Sequence, residues 1–178
     1  QRSLVRLMRY YLKTYPKSKF CLALETLQNR HQKHLELYMS DQLNSDEFIK
    51  KIGFNQHWFF DLWKNYEILF DFSKHHKIRT LAIDADHRQN VDLNTRDVYM
   101  AKKIVEELKN HPDQKIFVLV GDLHLAPKHL PQEIKRQAKS LRLGSVNTVT
   151  LYQNSPEIYW KLSEKNLVDH TDFVKVRK

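Results

Sequence analysis

KIFVLVGDLHLAPKHLP, Lys115–Pro131, is the stretch that decides the fold. Its apolar run Ile116–Val120, bounded by polar and turn residues, predicts a strand buried on both faces. Gly121 closes the run and lets the backbone turn sharply or a ligand come close. Asp122 and His124 then stand where the strand opens into a loop. In open parallel sheets, ligands bind outside the carboxyl ends of the strands. Gly121–His124 therefore marks the candidate functional edge.

Two more strands of this kind precede it. Phe20–Leu24 is a short apolar run ending at Glu25, and Arg79–Ile83 ends in Asp84-Ala85-Asp86-His87. Helical spacing fills the intervals: Ser3–Tyr15, Asn29–Met39, Ser45–Ile52 with its start signal at Ser45, and the aromatic stretch His57–His75. After the polar loop Arg88–Asn94, Thr95 can cap a helix to Lys109, and Pro131–Lys139 is a further helix. Val146–Leu151 reads as a strand by β-branched content, Ser155-Pro156 opens a helix through Leu162, and Phe173–Val176 is the last strand. Strands alternating with helices predict an α/β fold, a mainly parallel sheet sandwiched by helices, with the chain as a single domain.

Composition bounds the function. The 178 residues suffice for one real core, and 41% hydrophobic content excludes a disordered tail. No apolar window is long enough for a transmembrane helix. The single cysteine, Cys21, has no disulfide partner within the chain. The net charge of +9 raises nucleic-acid binding, but Lys and Arg are spread along the chain with no block of five or six, so the expectation is no nucleic-acid partner. A basic surface suits an anionic membrane or a porphyrin carboxylate equally well. Three glycines and no Gly-rich phosphate loop weigh against nucleotide chemistry.

If the strands are parallel, Glu25, Asp84, Asp86, His87, Asp122 and His124 collect along one sheet edge. Carboxylates with imidazoles suit a divalent metal, here Glu25, Asp122 and His124, and also form a general acid/base set. Acids and histidines at strand ends equally serve as helix caps. Arg96 follows the Asp84–Asn94 loop, placed either to clamp a ligand carboxylate or to pair with Asp84 or Glu25. The His57–His75 helix also has two readings: core packing, or a flat apolar wall for a planar ligand with Tyr66 offering a phenolate. His31, His34, His57, His111, His129 and His170 have no motif spacing and read as surface residues.

Taken in order, LALETLQNRHQ (Leu22–Gln32), the Trp63-x-x-Tyr66 helix, TRDVYMA (Thr95–Ala101) and LVGDLHLAPKHLP (Leu119–Pro131) resemble the ChaN-like family of bacterial haem-binding, iron-regulated lipoproteins. That family shares a superfamily with the Tiki and TraB proteins and the erythromycin esterases. The resemblance implies an α/β sandwich whose site combines Gly-x-x-His motifs, here Gly121–His124, with a glutamate matching Glu25. It places the family's earlier Gly-Glu-x-His strand before Ser3–Tyr15 and a C-terminal extension beyond this sequence. It implies haem as cofactor and partner, with Tyr66 first and Tyr99 second as iron ligand and Arg96 and His124 beside it. A homodimer, membrane anchoring through a segment outside this sequence, and a bacterial cell-envelope location go with it. The alternative it carries is a metal-dependent protease or esterase, with Glu25 and His124 catalytic.

Overall fold

The computed structural model describes residues 1–54, 63–86, 91–152 and 164. The chain divides into two compact units, Gln1–Asn147 and Thr148–Lys178. The first holds helix α1 (Arg2–Thr14), strand β1 (Lys19–Gln28), a 3-10 turn (Asn29–His31), α2 (Gln32–Met39), α3 (Ser45–Ile52), α4 (Trp63–His75), β2 (Arg79–Asp84), α5 (Leu93–Asn110), β3 (Gln114–Leu119), a second 3-10 turn (Asp122–Leu125) and α6 (Leu130–Ser140). This is an α/β fold. Its sheet has the order β2-β1-β3, with both pairings parallel.

Period-two alternation along β1 divides the core. Phe20, Leu22 and Leu24 face one apolar cluster with Met8, Leu35, Phe48 and Phe70. Cys21 and Ala23 face the other, with Ile83, Met100, Ile104 and Ile134. Helices α1 to α4 thus cover one face of the sheet, and α5 and α6 the other. Burial, with Glu107 nearby, pushes the Cys21 thiol up to about 12 despite Arg79, so it packs as a hydrophobe.

The doubly buried strand is β1, in the centre. β3 lies at the sheet edge, and its apolar residues are only half-buried. Composition does not distinguish a central strand from an edge strand, since apolar residues occupy both. At the opposite edge, side chains replace a further strand. Asn29 Nδ2 donates to the Ala82 carbonyl (3.0 Å), Gln32 Nε2 to the Thr80 carbonyl (3.2 Å), and Gln32 Oε1 accepts from the Ala82 amide (2.8 Å). Satisfying these groups locally closes the β2 edge to strand addition.

Three local expectations are corrected. The cap of α3 is Asn44, in a reciprocal capping box with Glu47, while Ser45 Oγ accepts from Trp63 Nε1 at 2.8 Å. The cap of α5 is Asp92, three residues before the expected cap Thr95; it accepts from both the amide and the hydroxyl of Thr95. Val146–Leu151 is not a strand: it pairs with no strand among the described residues, and Val149 is 87% exposed. The expected helix through Leu162, the last strand, and the start of the aromatic helix, Trp58 to Phe60 included, lie outside the described residues.

Candidate functional site

β1 outruns its neighbours. Its regular pairing with both ends at Leu24, and Gln28 then meets Asp84 across a register shift. Glu25 therefore lies within the strand but beyond the ladder, where the irregularity redirects its side chain. β2 delivers Asp84 to the same level, and the turn after β3 delivers Gly121 and His124. The first two turns of α5 bring in Arg96 and Asp97.

These side chains form one chain of contacts. Arg96 Nε and Nη2 donate to the two oxygens of Asp84 (3.0 and 2.8 Å), and Nη2 also reaches Glu25 Oε1 at 2.6 Å. The other Glu25 oxygen accepts the Gly121 amide at 2.5 Å. His124 Nε2 lies 3.2 Å from Glu25 Oε1, and its Nδ1 lies 2.6 Å from Asp97 Oδ1. The second Asp97 oxygen holds His129 Nδ1 at 2.7 Å. Asp84, Asp97 and His124 are buried.

Electrostatics follow from this geometry. Burial pushes the Glu25 carboxyl up. The His124 hydrogen bond, the Gly121 amide and the charges of His124 and Arg96 outweigh it and hold the group at about 2. Burial pushes His124 down, but hydrogen bonds to Glu25 and Asp97 and their charges raise it above its usual range. The His124 ring is held between two carboxylates, which favour its protonated form. Each ring nitrogen is engaged by a carboxylate oxygen, and a carboxylate held near 2 is a weak base at neutral pH.

Gly121 has an ordinary φ of −63°, so no left-handed turn requires it. An added Cβ would meet Glu25 Oε2 at 3.5 Å, an ordinary contact. The glycine's part in the site is its amide.

The metal set expected from the sequence does not assemble. Glu25 and His124 meet, but the 3-10 turn buries His124 and leaves Asp122 exposed. Among the described residues, no group of three His, Cys, Asp or Glu is placed to hold a metal ion. The cation between the carboxylates Glu25 and Asp84 is the Arg96 guanidinium.

Beside this network lies a cavity of about 480 Å³, lined by Glu25, Asp84, Arg96, Gly121 and Tyr66, with Leu27, Ile52, Phe54, Leu119 and Val120 supplying apolar wall. Such a volume suits a small molecule or cofactor. The aromatic helix serves chiefly as core: Trp63 stacks on Phe70 (5.3 Å, 20°), and Phe70 meets Tyr38 (5.6 Å) and Phe48 (6.1 Å) edge-on. Tyr66 is its link to the cavity. No described residue hydrogen-bonds its hydroxyl; its ring meets Phe54 edge-on. Arg96 Nη1 likewise makes no hydrogen bond to a described residue. Tyr99 lies outside this lining and donates to Asn29 Oδ1 at 3.2 Å.

His129 has a place in the site that sequence spacing did not reveal. The signal was its position five residues after His124 across Pro127, which lets one aspartate hold both rings. His31, expected at the surface, is buried and lines the cavity, and His34 is half-buried. His111 is exposed, and His57, His87 and His170 lie outside the described residues.

The acid–arginine–histidine network and the cavity thus lie at the carboxyl edge of a parallel α/β sheet, the place where open parallel sheets bind ligands. A family model described as haem-binding uptake, Tiki superfamily, ChaN matches residues 1–94. The chain belongs to this family. The matched residues include Glu25, Tyr66 and Asp84, and stop just before Arg96. No curated protein and no solved structure matches the chain.

Proposed function

We propose that the chain binds haem in the cavity at the carboxyl edge of the sheet and serves iron acquisition or haem handling in the bacterial cell envelope. The observation that carries this reading is Tyr66: a phenol 9% exposed on the cavity wall, with no described hydrogen-bond partner. A phenolate is a hard anionic ligand suited to ferric iron, and tyrosine is a known axial ligand. Leu27, Ile52, Phe54 and Leu119 offer apolar contact to a porphyrin plane. Arg96 Nη1 is the donor available to a propionate, while its other nitrogens stay fixed on Asp84 and Glu25. Haem, when bound, supplies the iron chemistry; the chain's residues orient it and shield it from water.

The test is a titration with ferric haem followed by absorption spectroscopy. Wild type should give a tyrosinate-type spectrum. Tyr66→Phe should weaken binding at least tenfold and change the spectrum, because it removes the oxygen and keeps the wall. Unchanged spectra and affinity in Tyr66→Phe would remove this ligand. Absence of haem binding by the folded chain would overturn the proposal and direct assays to metal-dependent ester or peptide cleavage.

A further inference from the structure

The charge of this chain is concentrated in one place. The first 24 residues hold six of the 30 Lys and Arg and none of the 21 acids, so they carry six of the nine net positive charges. Four of the six are on α1: Arg2, Arg6, Arg9 and Lys13. At 3.6 residues per turn these positions fall within an arc of about 60°, as a stripe about 17 Å long. The opposite side of α1 is anchored in the core through Val5 and Met8, with Leu4, Tyr11 and Leu12 packed beside them. The stripe is absent from a linear reading because its members are three to four residues apart, which corrects the expectation that basic residues are merely dispersed.

No described residue neutralises this stripe. All four side chains belong to exposed residues, and none forms an ion pair with a described residue. Several basic residues elsewhere do have acidic partners: Arg79 pairs with Glu107, Arg96 with Asp84, Lys74 with Asp41 and Arg136 with Glu133. Among the described helices, α1 alone bears Lys and Arg without any acid. The neighbouring end of α4 does not compensate. Arg9 lies over the Phe72 ring (5.8 Å), and burial, His75 and Arg9 hold His76 below its usual range. The acids of α4, Glu67 and Asp71, act on Tyr38. Two tyrosines flank the stripe in water, Tyr10 at 65% and Tyr15 at 51% exposure.

We infer that the outer face of α1 is a peripheral binding surface for anionic phospholipid. A row of unpaired guanidinium and ammonium groups matches a negatively charged leaflet, and exposed tyrosines settle at the headgroup level. The apolar side of α1 is committed to the core, so the helix lies on the surface and does not insert. No helix among the described residues is long and apolar enough to cross a membrane. A flat stripe with aromatics at its flank and end favours a lipid surface over a nucleic acid, whose single strands call for aromatic platforms set within a basic groove. The inference stands independently of haem binding.

The experiment is co-sedimentation of the full chain with phosphatidylcholine vesicles, with and without phosphatidylserine. Wild type should bind only the phosphatidylserine vesicles, and added salt should release it. Arg2→Gln/Arg6→Gln/Lys13→Gln should lower binding on the order of a hundredfold, about fivefold per charge. The control Lys102→Gln/Lys109→Gln/Lys135→Gln removes the same charge from exposed positions elsewhere and should bind like wild type. Tyr10→Trp should shift its emission to the blue on phosphatidylserine vesicles. No binding by wild type, equal loss in both triple variants, or an unshifted emission would each overturn the proposal. Stripe-dependent binding to duplex DNA without vesicle binding would overturn it in favour of a nucleic-acid surface.

Discussion

The carboxyl edge of the sheet and the outer face of α1 handle charge in opposite ways. At the edge, Glu25, Asp84, Arg96, Asp97 and His124 are largely withdrawn from water, and every charge touches one of opposite sign within 3.2 Å. On α1, four like charges stay in solvent with no partner among the described residues. Burial explains the difference. A charge taken from water must be paired and hydrogen-bonded, whereas a solvated one need not be. The edge is therefore a rigid, self-satisfied network, and the helix face keeps its charge available to something outside the chain.

The comparison breaks most severely at Asp97. This buried carboxylate holds both His124 and His129, so Asp97→Ala leaves the buried His124 ring with Glu25 as its one carboxylate partner. Removing one partner from a buried pair typically costs about 3–5 kcal/mol. The expected result is a loss of that size in chemical denaturation. Asp97→Asn, which keeps one acceptor, should lose less. If Asp97→Ala unfolds at the wild-type midpoint, the network contributes nothing to stability.

The next effect is in the pH dependence. His124 is raised above its ordinary 6.5, so its contribution is complete below that value and is lost as pH rises through the raised one. Glu25 is lowered from 4.5 to about 2, so its contribution is complete above 4.5 and is lost as pH falls through about 2. The two together support the fold best between those limits. The melting-temperature advantage of wild type over His124→Gln should be greatest near the acidic side of neutrality and shrink in alkali. An advantage that grows with rising pH would mean that the ring is neutral in the folded chain.

The sequence discloses these two regions unequally, and for physical reasons. The parallel sheet was legible because apolar runs ending in acids recur at helix-sized intervals, and Glu25, Asp84, Arg96 and His124 do converge at one edge. Which strand is central was not legible: β1 and β3 have similar apolar runs, and burial depends on neighbours. Asp122 and His124 looked equivalent at two residues apart, but a 3-10 turn buries one and exposes the other. Asp97 gave no local signal, because its meaning is contacts with His124 and His129, 27 and 32 residues away. Tyr66 was legible as aromatic helix, but its access to the cavity depends on β1 and Phe54. The basic stripe was legible in principle, at spacings of four, three and four, once α1 is drawn as a helix and not read as a line.

The smallest expected effect completes the comparison from the solvent side. Arg6 is exposed in the middle of the stripe, makes no ion pair with a described residue, and has basic neighbours on its face at Arg2 and Arg9. Like charges one turn apart repel weakly. Arg6→Gln removes that repulsion and disturbs no buried contact, so the melting temperature should stay the same or rise slightly, against the large loss at Asp97. Thermal melts of the two variants at low and high salt would separate the cases. Salt should erase the small gain in Arg6→Gln, because exposed charges are screened, and leave the Asp97→Ala deficit in place, because a buried charge is screened much less. A clear destabilisation by Arg6→Gln at low salt would mean that the stripe is part of the fold's own electrostatics, and its availability to a lipid surface would fall with it.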